Sequence, residues 1–230
     1  MSTTLFLILC LNGLQYGMLL FLIAAGLTLV FGVMGFINLA HGVQYMVGAY
    51  LAFAYVQLTG SFMLAVILSL VTALILGLLL EYFIFRHLYN RDHLDQVLAT
   101  FGIIIFLNEL AKVIFGPTTL SIAGLVVALG LYLTISFTRI GMLIRAGATS
   151  AEMVSALGVN IQRLFMIVFG VGAMLAGFAG VIAAPIFAIE PGMGDNILIV
   201  AFVVIITGGI GSIGGAFFAA LLVGLIDTLG

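Results

Sequence analysis

Polar side chains interrupt an otherwise apolar stretch between residues 26 and 50, which reads GLTLVFGVMGFINLAHGVQYMVGAY. They are Asn38, His41, Gln44 and Tyr45, and five glycines accompany them. Because polar groups are costly in lipid, they usually face a bundle interior or a water-filled path. In a helix, Asn38, His41 and Tyr45 would fall at i, i+3 and i+7, on one face. We therefore predict a polar stripe inside a membrane bundle. The alternative is that Asn38 caps a helix and His41 bonds a neighbouring helix.

A second glycine-rich segment, GGIGSIGG, occupies residues 208–215, between apolar stretches at 197–207 and 216–229. Each apolar stretch is shorter than the about 20 residues that cross the hydrocarbon core. Non-helical backbone survives at membrane depth only where protein or a water-filled cavity shelters it. We therefore expect a discontinuous helix beside a translocation path. The alternative is a tight turn between two short tilted helices.

The residues that carry nucleotide, metal or nucleophile chemistry do not occur in suitable patterns. A P-loop needs lysine after glycine, whereas the single lysine, Lys112, follows alanine. Cys10 is the only cysteine, so the three histidines have no cysteine partners at metal-ligand spacing. No Ser/His/Asp set can be assembled with any specificity. We expect a protein that is not an enzyme and binds no cofactor itself; any ATP and Mg²⁺ that energise transport must be bound by a partner chain.

Composition predicts an all-α, polytopic transmembrane helical bundle that forms one domain over residues 1–230. Hydrophobic residues make up 65% of the chain and charged residues 6%, against about 25% charged in soluble proteins. Long unbroken apolar runs argue against a β-barrel, whose strands alternate in polarity. The net charge is −2 and there is no basic run, so we expect no nucleic-acid partner. With no Lys or Arg in residues 1–9, we also expect no cleaved signal peptide.

Charges and turn signals divide the apolar sequence into predicted spans. The first is expected to begin irregularly or at the membrane interface, because Asn12, Gln15 and Gly17 lie near its start. A turn is expected at residues 59–61, and a helix stop at Gly116 before Pro117. The predicted spans cover residues 5–33, 39–57, 62–85, 96–115, 120–137 and 164–189, followed by the glycine-broken segment.

Five of the six Lys and Arg residues lie in two segments, at about 86–95 and 139–163. Short loops rich in Lys and Arg face the cytoplasm, and two spans separate these segments, so both can lie on that side. Three spans precede the first, which places the N-terminus outside, together with residues 190–195. Lys112 is the exception, at an outer helix end where its aliphatic stem can snorkel.

The second charged segment contains signals for a short helix of its own. Thr149 and Glu152 form a capping box, and Gly158 fits a helix stop. A two-turn helix is marginal alone and needs a surface to pack against. Met153 and Leu157 share one face. This face either packs on the chain's own bundle or fits a cleft on a partner.

Three motifs together resemble a known family: GLTLVFGVMGFINLAHG at 26–42, RAGATSAEMVSALGVNIQRL at 145–164 and GGIGSIGGAFFAALLVGL at 208–225. They look like the inner-membrane permeases of bacterial branched-chain amino-acid ABC importers, of the leucine/isoleucine/valine type. Members usually have a longer external stretch after the Phe-Gly-Pro that stands here at 115–117, and they usually continue beyond the point matching residue 230.

The resemblance implies a multi-pass protein of the bacterial inner membrane. Its partners would be membrane lipid, a second and paralogous permease chain in a heterodimer, two cytoplasmic ATPase subunits and a periplasmic substrate-binding protein. The short cytoplasmic helix would be the coupling helix that meets the ATPase, with Arg145, Thr149, Glu152, Met153, Leu157 and Gly158 as its residues. The translocation pathway would involve Asn38, His41, Gly42, Gln44, Tyr45, Gly208, Gly209, Gly211 and Ser212.

A secondary transporter or channel for a small solute such as urea or an amide, working without an ATPase, is the alternative. Such a transporter would need an ion-coupling group, for which Glu109 is a candidate. Its spacing from Lys112 fits an ion pair at a helix end equally well. The capped cytoplasmic helix, which neither alternative requires, favours the ATP-driven importer.

The first prediction concerns orientation. A cysteine placed at Arg91 or at Ser150, in a chain with Cys10 replaced by serine, is expected to react with a membrane-impermeant thiol reagent only from the cytoplasmic side. The reason is the excess of arginine in both loops. The measurement is labelling of intact cells against inverted membrane vesicles, and reaction in intact cells would reverse the predicted orientation.

Overall fold

The computed structural model describes residues 3–120 and 161–229, and these residues form seven α-helices. A 3-10 helix, Phe85–His87, follows the third of them. Within the two described ranges the only β-pairing is an isolated antiparallel bridge between Leu120 and Ile189. The predicted all-α fold class is confirmed. The helices are α1 (Thr3–Met34), α2 (His41–Thr59), α3 (Phe62–Phe83), α4 (His93–Phe115), α5 (Ile161–Ala183), α6 (Met193–Gly208) and α7 (Ile213–Leu229).

Four of these helices, α1, α3, α4 and α5, are long and apolar enough to cross a membrane. The apolar helices α6 and α7 are shorter, with 16 and 17 residues. Helix α2 has 19 residues but carries His41, Gln44 and three tyrosines. The chain is therefore a multi-pass membrane protein. The predicted fifth span, 120–137, and the predicted short helix at 149–158 lie outside the described residues.

Helix α1 runs without interruption from Thr3, so an irregular start is wrong, while an interfacial start stays a prediction. The reason is packing. A Cβ built on Gly13 or Gly17 would lie about 3.0–3.1 Å from the backbone of α7, near Gly224 and Ala220. Glycine in a membrane helix often marks such close backbone approach rather than a break. Since Phe21 and Phe217 also stack edge to face, α1 and α7 run antiparallel along much of their length.

Helix α5 ends at Ala183, six residues before the predicted end of its span. Pro185 follows two residues later, and proline has no N–H for the next intrahelical bond. The chain turns at 184–188, and Ile189 then exchanges two 2.8 Å backbone hydrogen bonds with Leu120. The polypeptide after α5 is thereby fixed to the polypeptide after α4.

The glycine-rich segment does interrupt the helix, as predicted. The break is confined to residues 209–212, where Gly209 and Gly211 have φ of +89° and +84°. The flanking helices are longer than the predicted eleven and fourteen residues, because α6 begins at Met193 and α7 includes Gly214 and Gly215. A compact turn between two short helices describes this geometry.

Helix α5 is the centre of the bundle and packs against α1, α2 and α3. The approach to α2 is the tightest, since a Cβ on Gly48 would overlap the backbone of Gly177. A Cβ on Gly180 would likewise collide with the carbonyl oxygen of Tyr45. These glycines bring two helix backbones into direct contact, which is how membrane helices gain packing energy without a hydrophobic driving force.

Helix α2 begins partway along the bundle rather than at its edge. Its first residue, His41, lies against the carbonyl of Ile23, eleven residues before the end of α1 at Met34. At a 1.5 Å rise per residue that is about 16 Å back along α1. The linker of residues 35–40 therefore turns back into the bundle, and α2 begins inside it.

The second prediction concerns the turn between α6 and α7. Replacing Gly211 by valine is expected to destabilise the protein by about 1–3 kcal/mol, because a β-branched residue is strained at φ +84°. Gly214→Ala is the matched control, since the space around Gly214 is open and its φ is not positive. Thermal unfolding in detergent measures the difference, and equal melting temperatures for the two variants would contradict the assignment.

Candidate functional site

The polar residues of the predicted stripe are buried within the bundle. Asn38 and His41 are fully inaccessible, and Gln44 and Tyr45 are nearly so. They do not lie on one helix face, because Asn38 belongs to the linker and α2 starts three residues later. The prediction that Asn38, His41 and Tyr45 share one helix face is therefore wrong. The prediction that these side chains face the bundle interior rather than lipid is confirmed. Asn38 also provides no side-chain cap for α2.

His41 joins the start of α2 to α1 through one hydrogen bond. Its Nε2 lies 3.0 Å from the carbonyl oxygen of Ile23. A carbonyl only accepts, so Nε2 carries the proton and the Nδ1 of the neutral ring is an acceptor. That Nδ1 is buried and makes no hydrogen bond of ordinary geometry among the described residues, although the Gln44 amide lies near the ring. The prediction that His41 bonds a neighbouring helix is confirmed. Its Nδ1 remains available as an acceptor.

Two buried amides near His41 make no hydrogen bond of ordinary geometry, although the Gln44 amide lies close enough to the His41 ring to interact with it. Neither the oxygen nor the nitrogen of the Asn38 and Gln44 side chains has a hydrogen bond within the described part of the chain. Leaving a buried polar group unpaired costs about 1–3 kcal/mol. A cavity of about 80 Å³ adjoins Gln44, lined otherwise by apolar residues such as Val47, Leu107 and Ala173. Asn38 and Gln44 thus hold donors and acceptors ready for water or a polar solute.

The first turns of α2 and α6 meet at this place. A Cβ on Gly42 would collide with the carbonyl oxygen of Gly194, and it would stand 2.8 Å from Leu198. The backbone N–H of Gly192 also points to the Met46 sulfur at 3.4 Å. Helix N-termini carry partial positive charge and unsatisfied N–H groups. Their convergence inside a bundle is a feature of transporter sites that bind anionic groups of solutes.

Gln96 in the first turn of α4 fixes the linker that precedes α2. Its Oε1 accepts a hydrogen bond from the Ile37 N–H at 3.3 Å. Its Nε2 donates to the carbonyl oxygens of Leu88 and Arg91, each at 3.2 Å. One buried side chain thus connects the loop between α3 and α4 to the backbone beside Asn38.

A buried acid stabilises the same loop. Glu81 is completely inaccessible and pairs with Arg86 at 3.2 Å, and it accepts a 2.9 Å hydrogen bond from the Tyr89 hydroxyl. Burial raises the pKa of Tyr89, and the bond to Glu81 raises it further, so the hydroxyl keeps its proton. The rings of Phe85 and Tyr89 pack edge to face on Phe36 in the linker.

Sequence reasoning missed Gln96 and Glu81. Glu81 was detectable, because an acid inside an apolar span indicates a paired and specific role, and Arg86 follows five residues later. Gln96 had no comparable signal, since a single polar residue at a helix start is common.

The structure does not bring the glycine break to the buried amides. Gly211 lies beside Gly32, near the far end of α1, and Gly209 and Ser212 are exposed. Ser212 caps α7, since its Oγ accepts the N–H of Gly215 at 3.0 Å. That these residues, with Gly208, line the pathway stays a prediction. The predicted coupling residues, Arg145, Thr149, Glu152, Met153, Leu157 and Gly158, lie outside the described residues.

A multi-pass helical bundle with unpaired polar groups at an internal helix start has the architecture of a membrane transport protein rather than an enzyme. The chain belongs to the family of permease components of branched-chain amino acid transport systems, whose model matches residues 9–116 and 94–230. The two matched parts overlap between residues 94 and 116.

Relatives in bacteria and archaea match nearly the whole chain. It is 31% identical to the high-affinity branched-chain amino acid transport system permease protein BraD of Pseudomonas aeruginosa, over 95% of this chain and 84% of the relative. It is 29% identical to LivH of Escherichia coli, over 95% and 83%. A probable branched-chain amino acid permease, LivH of Methanocaldococcus jannaschii, is 26% identical over 93% and 78%. No solved structure shows significant similarity.

The third prediction concerns His41. His41→Leu is expected to reduce solute uptake at least tenfold while membrane abundance stays within about twofold, because it removes both the bond to Ile23 and the open acceptor. His41→Gln, which can keep a donor and an acceptor, serves as the conservative comparison. Uptake and abundance are measured in the same cells. If abundance falls in parallel with uptake, His41 only holds the helices together.

Proposed function

We propose that the chain is the membrane-spanning permease subunit of an ATP-driven importer for branched-chain or related amino acids. One observation carries the proposal: in this member of a permease family, Asn38 and Gln44 present unpaired amides where α2 begins inside the bundle. A polar solute in transit would supply the hydrogen bonds that these amides lack.

The substrate class follows from the names of the relatives and from the chemistry of the interior. The names of BraD and LivH state branched-chain amino acid transport. Apolar side chains line the cavity beside the Gln44 amide, and the N-termini of α2 and α6 favour a carboxylate. An amino acid with a short apolar side chain fits both properties. Asn38, His41, Gly42, Gln44 and Tyr45 are the pathway residues of the proposal.

Energy for transport would come from partners. The proposed complex contains a second, paralogous permease chain, two cytoplasmic ATPase subunits that bind ATP and Mg²⁺, and a periplasmic substrate-binding protein. The chain would lie in the bacterial inner membrane with its N-terminus outside, as the arginine-rich loops predict. The loop helix at 149–158 would dock in a cleft of the ATPase.

The environment of Glu109 favours an ATP-driven importer over an ion-coupled secondary transporter. Its Oε1 lies 2.6 Å from the Lys112 ammonium, and both side chains are exposed on α4. An exposed ion pair at i, i+3 spacing explains this acid without a coupling role.

The experiment that tests the function is uptake of labelled leucine into proteoliposomes. The vesicles contain the chain with its permease partner and ATPase subunits, ATP is enclosed, and the binding protein is outside. Uptake that requires ATP and the binding protein is expected. Uptake by the chain alone, without ATPase subunits, would instead establish the secondary transporter or channel.

The fourth prediction uses the same vesicles to test the coupling helix. Leu157→Asp places a charge on the face predicted to bury against the ATPase. We expect leucine uptake to fall at least tenfold, with the ATPase either lost on purification or hydrolysing ATP without transport. Leu157→Met, which conserves volume, should stay near normal. Normal uptake by Leu157→Asp with the ATPase still bound would show that another segment makes the contact.

A further inference from the structure

A second polar-lined cavity lies towards the N-terminal end of α1, apart from the buried amides. Its volume is about 610 Å³, within the roughly 300–1,000 Å³ of small-molecule sites. Helix α1, helix α7 and the turn after α5 border it, and it is open on one side, where Asn12, Gln15 and Asp227 are exposed. Its lining residues are Asn12, Gln15, Tyr16, Leu19, Ile186, Phe187, Asp227 and Thr228.

The lining from α1 forms one helical face. Asn12, Gln15, Tyr16 and Leu19 follow one another at i, i+3, i+4 and i+7. This face is rigidly placed, because the glycines beside it bring α1 against α7, and because the Tyr16 ring packs edge to face on Phe187 at 6.4 Å. A site on packed helices holds its polar groups more precisely than a site on loops.

The polar groups of this cavity are free to take a ligand. Among the described residues, the amides of Asn12 and Gln15 and the carboxylate of Asp227 make no hydrogen bond or ion pair. Asp227 and Thr228 are the only polar side chains of α7. The hydroxyl of Thr228 is engaged, since it donates to the carbonyl oxygen of Gly224 at 2.7 Å. Asp227 is exposed in the cavity and lies close enough to the Tyr16 hydroxyl to interact with it, and no Lys, Arg or His lines the cavity. Its carboxylate can therefore attract a cationic group of a ligand.

The cavity also precedes the buried amides along α1. Tyr16 is seven residues from Ile23, whose carbonyl binds His41, which corresponds to about 10 Å along the helix. With the N-terminus outside, a solute would meet the cavity first and the interior site next.

We propose that this cavity is an outer binding site for a zwitterionic aliphatic amino acid. Asp227 receives the ammonium group, the amides of Asn12 and Gln15 bind the carboxylate, and the aliphatic side chain lies on Leu19, Ile186 and Phe187. This inference rests on the proposed function, and it adds the place at which substrate is held after release from the binding protein.

The fifth prediction tests the ammonium contact. The purified complex, without binding protein, is titrated with leucine and with 4-methylpentanoate, which lacks the ammonium group. Binding is followed by protection of a cysteine at Thr228 from a thiol reagent, with Cys10 replaced by serine. We expect leucine to protect and 4-methylpentanoate to protect at least tenfold less well. Asp227→Asn should abolish this preference for leucine, and Asp227→Glu should restore part of it.

Glu109→Gln is the matched control, since it removes an acid on α4 outside the cavity. Equal protection by leucine and 4-methylpentanoate, or unchanged leucine protection in Asp227→Asn, would overturn the proposed site. So would an absence of leucine protection at Thr228 in a complex that transports leucine. ATP-dependent leucine uptake by the same complex is measured separately. If that uptake is absent, the proposed function fails. If uptake is normal and the Asp227 variants leave leucine protection unchanged, only the outer site is refuted.

Discussion

The contact between the backbones of α2 and α5 is the constraint on which the rest of the structure depends. Gly48 against Gly177, and Gly180 against the carbonyl of Tyr45, leave no room for any side chain. Because α5 also packs on α1 and α3, this contact determines how deeply α2 enters the bundle. The depth of α2 in turn decides where His41 meets α1. The buried amides therefore owe their position to residues that have no chemistry of their own.

The buried start of α2 depends on support from the opposite direction as well. Gln96 bonds the linker and the loop between α3 and α4, while Glu81 and Arg86 stabilise that loop. If this loop moved, the Gln96 side chain would move the backbone beside Asn38 with it, because it is hydrogen-bonded to both. The interior site and the loop are thus mechanically connected, although the linker of residues 35–40 contains no charged residue.

Composition and charge were sufficient to predict the helical membrane fold, most span limits and the burial of Asn38, His41, Gln44 and Tyr45. They failed where tertiary packing decided the outcome. Gly17 is indistinguishable in sequence from a helix-breaking glycine, yet it supports an unbroken helix because α7 lies against it. The depth of His41 could not be derived from local signals either, since it follows from contacts with Ile23 and α5, which are distant in sequence. The end of α5 was also missed, since the span was predicted to run to residue 189, although Pro185 is a local signal for the end at Ala183.

The pairing of the first described helix with the last has a consequence for synthesis. Helix α1 finds its main packing partner only after Ile213–Leu229 has been made. At about 5–20 residues per second, the roughly 180 residues between these helices take about 10–40 seconds. During that interval the glycine face of α1 stands in the bilayer without its native neighbour. The nascent chain therefore has a late closing step, in which α7 covers the glycine face of α1.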